Sequence, residues 1–305
     1  MNLEPYNQTK LYGLNNELEY FINLYNSNKL PNKILFSGPK GIGKATLAYH
    51  LINYILSIGE KNHYNIGNFT IDNKNRTYKL IQLNINPNFS LIDILPEKKN
   101  IDINQIRQLI THMNKTSLND KPRLILIDNI EFLNINSVNA LLKILEEPPE
   151  NTYFILIHNH KKVLQTLKSR CIEFKIKLSN KESFLIIEKI IEDNIENNIN
   201  KDLINHYFTP GKIYNLIKFS KENKIELKDM KLKDFISLII KENYYKKDNS
   251  IKFMIYELIE FFLINNINSK FTNYDYFIKK IDNLKKFNLD QESFFLDFKF
   301  SILDE

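Results

Sequence analysis

Residues 136–171 read NSVNALLKILEEPPENTYFILIHNHKKVLQTLKSRC, and this stretch places the rest of the chain. Val138, Leu141, Leu142 and Leu145 recur at helical spacing and predict one apolar helix face. Pro148 disfavours α geometry at Glu147, so the helix stops there. Residues 153–157, YFILI, form a short run of aromatic, β-branched and aliphatic residues with no polar alternation. That is the pattern of a central strand covered on both faces. A second helix over about 161–168 runs into Ser169-Arg170-Cys171 and the start of a further strand.

The N-terminal part supplies a partner motif. Residues 33–37, KILFS, predict a strand that runs straight into GPKGIGKAT, followed by a helix over about 44–58. Strand, glycine loop and helix together are the context of a phosphate-binding P-loop. Gly38, Gly41 and Gly43 let backbone N–H groups turn toward a phosphate chain, and Lys44 adds a point charge at the β/γ phosphates. The plain alternative is a tight loop without a ligand. The position after the lysine calls for a Ser or Thr hydroxyl on Mg²⁺, but Ala45 stands there. Thr46 follows, turned about 100° further round the helix, and cannot easily substitute. Residues 122–127, PRLILI, predict another strand, ending at Asp128, where a carboxylate is placed to hold Mg²⁺ through water.

NALLKILEEPP, a hydrophobic strand and then SRC together resemble the clamp-loader branch of the AAA+ ATPases, the gamma/tau and delta-prime subunits of bacterial DNA polymerase III. The resemblance covers the first two-thirds of the chain well and the rest loosely. It implies an α/β fold: an AAA+ P-loop parallel sheet with helices on both faces over 1–178. A small helical lid (179–224) and an all-α C-terminal collar for oligomerisation (225–305) would follow. It also assigns roles. In active members a glutamate follows the strand-end aspartate and polarises the attacking water; here Asn129 stands there and cannot accept the proton. Glu131 comes two residues later and is expected on a different face. Asn159 is the candidate γ-phosphate sensor. Lys212, in TPGK, falls near the second sensor position or is part of an ordinary helix start. Arg170 becomes an arginine finger for a neighbouring subunit, with a surface ion pair as the plain alternative. ATP or ADP with Mg²⁺ is the implied ligand, and whether it still binds stays open.

Composition narrows the field. The chain has 305 residues, 43% hydrophobic and 26% charged, as in globular proteins. The single cysteine, Cys171, rules out an internal disulfide and the four-cysteine zinc module of many relatives, so no zinc is expected. No apolar run approaches the ~18 residues of a membrane span, and MNLEPYNQTK has no signal-peptide pattern; a cytoplasmic location is expected. Net charge is +6, which suits nucleic acid or an acidic partner, although lysine and asparagine are abundant throughout. Only four arginines occur, so Arg170 stands against the trend.

The remaining stretches are read from periodicity. Leu14, Leu18, Phe21, Ile22 and Tyr25 predict an early helix. Residues 59–78 predict a polar loop or short hairpin, 79–84 (KLIQLN) a strand, and 85–96 a loop around Pro87. Ile103, Ile106, Leu109, Ile110 and Met113 predict a helix. From Ser179 onward, helix follows helix. The function the resemblance implies is a ring member that completes a neighbour's ATP site, with gamma/tau and delta subunits, the sliding clamp and primed DNA as partners. A competent ATPase of the gamma/tau type, or another replication ATPase, is the alternative.

Overall fold

The computed structural model describes residues 3–95, 98–113, 119–159, 165–204, 208–247, 249–266, 274–287 and 290–303. They group into two units, Met1–Glu182 and Ser183–Glu305.

The first unit is built on a parallel sheet of β1 (Lys33–Ser37), β2 (Phe89–Ile92), β3 (Arg123–Ile127), β4 (Thr152–His158) and β5 (Ile172–Lys175), in the order β2-β3-β4-β1-β5. Successive side chains of a strand point to opposite faces. Ile34, Phe36, Leu124, Leu126, Ile155 and Ile157 therefore join one core, with α1 (Asn15–Asn26) and α2 (Lys44–Ser57). Leu35, Ile125, Ile127, Phe154 and Leu156 join the other, with α4 (Ile103–Met113) and α5 (Ile135–Glu146). Ile34, Leu35 and Phe36 have no exposed surface, and burying each side chain stabilises the fold by roughly 1.5–3 kcal/mol. The continuous hydrophobicity of 153–157 thus has the expected cause, a strand covered on both sides.

Local chemistry sets the helix ends. Asn134 caps α5 by accepting from the N–H of Ser137. Asp102 and Gln105 form a reciprocal cap at the start of α4: Oδ1 of Asp102 accepts from Gln105 N, and Oε1 of Gln105 accepts from Asp102 N. The helix read over 161–168 is described only as α6 (Gln165–Lys168), its first residues lying outside the described ones.

Two elements differ from the sequence reading. Residues 79–84 are no strand: α3 (Arg76–Gln82) occupies most of that stretch. Buried Asn75 decides this, accepting from Tyr78 N at 2.6 Å as a helix cap and from Asn53 Nδ2 at 3.1 Å. Tyr78 and Ile81 then pack at i and i+3 on the α2 core. A short apolar run is ambiguous between helix and strand, and the cap resolves it. The sheet takes its edge strand instead from residues 89–92, β2, within the segment read as a loop. Within 59–78, Asn65 and Thr70 exchange backbone hydrogen bonds as a short hairpin.

In the second unit the described elements are helical: α7 (Asn180–Ile191, which begins in the first unit), α8 (Lys201–Ile204), α9 (Pro210–Asn223), α10 (Leu232–Lys241), α11 (Tyr244–Lys247), α12 (Asn249–Asn265), α13 (Tyr274–Phe287) and α14 (Gln291–Phe298). One apolar cluster runs from Ile187 to Leu303, with Phe277, Phe294, Phe295 and Phe298 wholly buried in it. These four phenylalanines are therefore core, while Tyr276 and Phe300 are exposed.

Candidate functional site at the two ends of the sheet

In a parallel α/β sheet, ligand chemistry collects at the carboxyl ends of the strands. Here that end carries the loop 38–43 after β1, Asp93 after β2, Asp128 after β3, and His158 and Asn159 at the end of β4. Gly41 and Gly43 have φ of 83° and 101°, which L side chains rarely adopt. At Gly38 a Cβ would lie 2.5 Å from the carbonyl oxygen of Ile176, so only glycine fits. The loop then feeds α2 directly, so its N-terminus faces the cradle.

Lys44 is almost wholly buried. Its Nζ donates to the carbonyls of Gly38 at 2.8 Å and Pro39 at 2.7 Å, so the ammonium folds back on its own loop. Burial lowers its pKa to about 8 despite the nearby charges of Asp128 and Glu131. Asp128 moves the other way: burial first, then the Asp93 charge, raise it to about 7, against the Asn129 N–H and Lys44. Ala45 packs beside the first core and brings no hydroxyl.

Asn129 is fully engaged. Its Nδ2 donates to Asp93 Oδ1 at 2.8 Å, and its Oδ1 accepts from Asn159 Nδ2 at 3.0 Å. The backbone N–H of Asn159 donates to Glu131 Oε2 at 3.4 Å. Glu131 therefore does reach this site, contrary to the expectation from its place in sequence. The short 3₁₀ turn Ile130–Phe132, entered through Asn129 at φ 55°, swings it back. The structure thus brings Lys44, Asp128, Asn129 and Asn159 together, and adds Asp93 and Glu131, which the sequence reading did not include. Asp93 had a visible signal: SLID at 90–93 echoes ILID at 125–128, and the two strands pair in that register. The glycine cradle suits a phosphate chain. Ala45 offers no hydroxyl to a Mg²⁺ ion, and the Asn129 amide, already used as a bridge, cannot accept a proton as a general base. Among the described residues, no cluster of His, Cys, Asp and Glu could hold a metal by itself.

Arg170 lies at the opposite end of the same sheet. It precedes β5, whose Ile172 pairs with Ile34 near the start of β1. From Lys33 to Ser37 is four residue steps, about 13 Å at ~3.3 Å each, before the P-loop begins. The guanidinium is anchored to Glu146, the last residue of α5, through Nε at 3.1 Å and Nη2 at 2.5 Å. Its Nη1 donates to the carbonyl of Thr166 at 3.0 Å. Nearby, Lys33 Nζ donates to the carbonyl of Leu145, so the end of α5 is tied to β1 as well. Burial pushes the Cys171 thiol up to about 11, which leaves it protonated and unreactive. Lys212 lies in the second unit, paired with Glu257 at 2.7 Å, on a helix capped by Thr209 with Pro210 at its first position. His160 is outside the described residues.

A parallel sheet with a P-loop after its fourth strand in spatial order, a strand-end aspartate on the second and helices on both faces defines an AAA+ P-loop fold. The family described as DNA polymerase III, delta subunit, matches residues 13–180, and the chain belongs to it. A DNA polymerase III subunit delta' from Buchnera aphidicola (subspecies Schizaphis graminum) is 28% identical over 290 residues, covering 86% of this chain and 82% of that protein. A DNA polymerase III subunit gamma/tau from Mycoplasma genitalium is 29% identical over 97% of this chain and 45% of its own length. Among solved structures, a DNA polymerase III gamma subunit-related protein from Thermotoga maritima aligns at 13% identity with a TM-score of 0.49, covering 91% of this chain and 96% of that one. Among the described residues, no helix is long and apolar enough to cross a membrane.

Proposed function

We infer that this chain acts in DNA replication as a delta-prime subunit of the polymerase III clamp loader, a ring member that completes a neighbour's ATP site without hydrolysing ATP itself. One observation carries the reading: the chain's own P-loop and Arg170 lie at opposite ends of one sheet. Arg170 cannot reach a phosphate held by Lys44 in the same chain, so an arginine finger here serves only another subunit. A guanidinium suits that task, because its planar fork binds phosphate oxygens in pairs and keeps its charge. Ala45 and the bridged Asn129 support the other half of the reading.

On this account Gly38, Gly41 and Gly43 with Lys44 would hold a nucleotide's phosphates, and Mg²⁺, where present, would screen their charge. The chain's residues would clamp the ligand and leave the attacking water without a base. Gamma/tau and delta subunits, the sliding clamp and primed DNA are the proposed partners, with the helices beyond residue 224 as the collar that joins the ring and residues 179–224 as the lid. The test is steady-state ATP turnover of the isolated chain and of the assembled complex. The expected result is none above background for the chain alone, and DNA-stimulated turnover for the complex. Turnover by the chain alone that Lys44→Ala abolishes would establish the competent-ATPase alternative instead.

A further inference from the structure

The LEEPP and SRC segments meet in space. Glu146 closes α5, and Pro148, two residues on, keeps Glu147 out of α geometry, so the carboxylate is carried on a fixed helix end. Its Oε1 accepts from both Nε and Nη2 of Arg170, while the Thr166 carbonyl takes one N–H of Nη1. A guanidinium has five N–H donors. Three are used among the described residues, which leaves one on each terminal nitrogen. The pair is partly exposed, with the Arg170 and Glu146 side chains at 30% and 54%. Exposed ion pairs contribute little to folding, so this contact's value lies in orientation.

We propose that Glu146 is a positioning residue for Arg170, holding one edge of the fork so that the two remaining N–H groups meet phosphate oxygens on the neighbouring subunit. A free arginine side chain samples many rotamers, and ordering it in advance removes that cost at the moment of reaction. Glutamate suits the task at this place. Its reach matches the helix end, and Lys33, on the Leu145 carbonyl, fixes the same turn from the sheet side. The proposal rests on Arg170 being the finger, and the experiment separates the two.

The assembled complex is prepared with the wild-type chain and with Glu146→Ala, Glu146→Gln, Arg170→Ala and the double Glu146→Ala/Arg170→Ala variant. DNA-stimulated kcat and KM for ATP are measured beside the chain's Tm. Glu146→Ala is expected to lower kcat at the facing site about 10-fold, leaving KM, Tm and assembly unchanged. Glu146→Gln, whose amide oxygen still accepts, is expected to keep most of the rate. In the Arg170→Ala background, Glu146→Ala is expected to add nothing, which a merely structural role would not produce. Wild-type or raised kcat in Glu146→Ala, or an equal loss with and without Arg170, overturns the positioning role while the finger stands. Wild-type turnover in Arg170→Ala overturns both.

Discussion

The two ends of the sheet in the first unit have been treated differently. At the carboxyl end the glycine cradle persists, but Lys44 folds onto its own loop carbonyls and Asn129 is tied between Asp93 and Asn159. At the amino end Arg170 is braced by Glu146 and Thr166, with donors to spare. One end holds a glycine cradle whose Asn129 cannot act as a base; the other holds an arginine with two N–H groups left over among the described residues. The proposed function places this chain's contribution at the amino end of the sheet and not at its own P-loop.

The largest effect is expected at the amino end of the sheet. Arg170→Ala is expected to lower hydrolysis at the facing ATP site on the order of 10³-fold, as trans-acting fingers do in other nucleotide hydrolases. Fold and assembly should be kept, and Arg170→Lys should rescue only partly because the fork is lost. Steady-state turnover of the reconstituted complex, with gel filtration to show assembly, checks this.

Truncation separates the two units. A chain ending at Glu182 should unfold cooperatively as a soluble monomer and keep the Glu146–Arg170 corner, yet support no complex turnover, because the proposed collar is gone. A chain ending at Lys224 should aggregate, since Ile213, Leu216, Ile217 and Phe219 of α9 belong to the cluster that continues to Leu303. Light scattering and thermal melts compare the two. Equal stability would support an independent folding boundary at 224.

The carboxyl end has a pH signature. Asp128 has a pKa of about 7 in the fold and ~3.9 when unfolded. Between those values the folded chain holds more protons than the unfolded one, so this group makes stability fall as pH rises from about 4 to about 7, and the effect is level above that. Asp128→Asn should remove the fall, with a gain of about 1–4 kcal/mol at pH 7.5 relative to pH 4.5. Urea midpoints at the two pH values measure it. The same pH dependence in wild type and variant would contradict a raised pKa at Asp128.

Much of this was legible before any coordinates. The P-loop, the strand of residues 153–157 and the SRC turn are long or strongly patterned, and each fell where expected. What escaped were short elements decided by one side chain. KLIQLN at 79–84 fits strand or helix, and only the Asn75 cap, with its partner Asn53 22 residues away, selects the helix. With residues 85–96 read as a loop, Asp93 was not placed beside Asp128, although SLID at 90–93 echoes ILID at 125–128. Glu131 was misjudged because a left-handed residue at Asn129 redirects the chain, and asparagine adopts that conformation more readily than most residues. The Glu146–Arg170 contact joins two motifs 24 residues apart whose co-occurrence is plain in sequence and whose physical link is not.

The proposed function has this chain contribute to ATP hydrolysis through Arg170 and not through its own P-loop. It is met most directly by the steady-state ATP turnover of an assembled complex in which only this chain carries Lys44→Ala. The account predicts turnover equal to wild type. A fall to the level of the Arg170→Ala complex, with assembly intact, would contradict it.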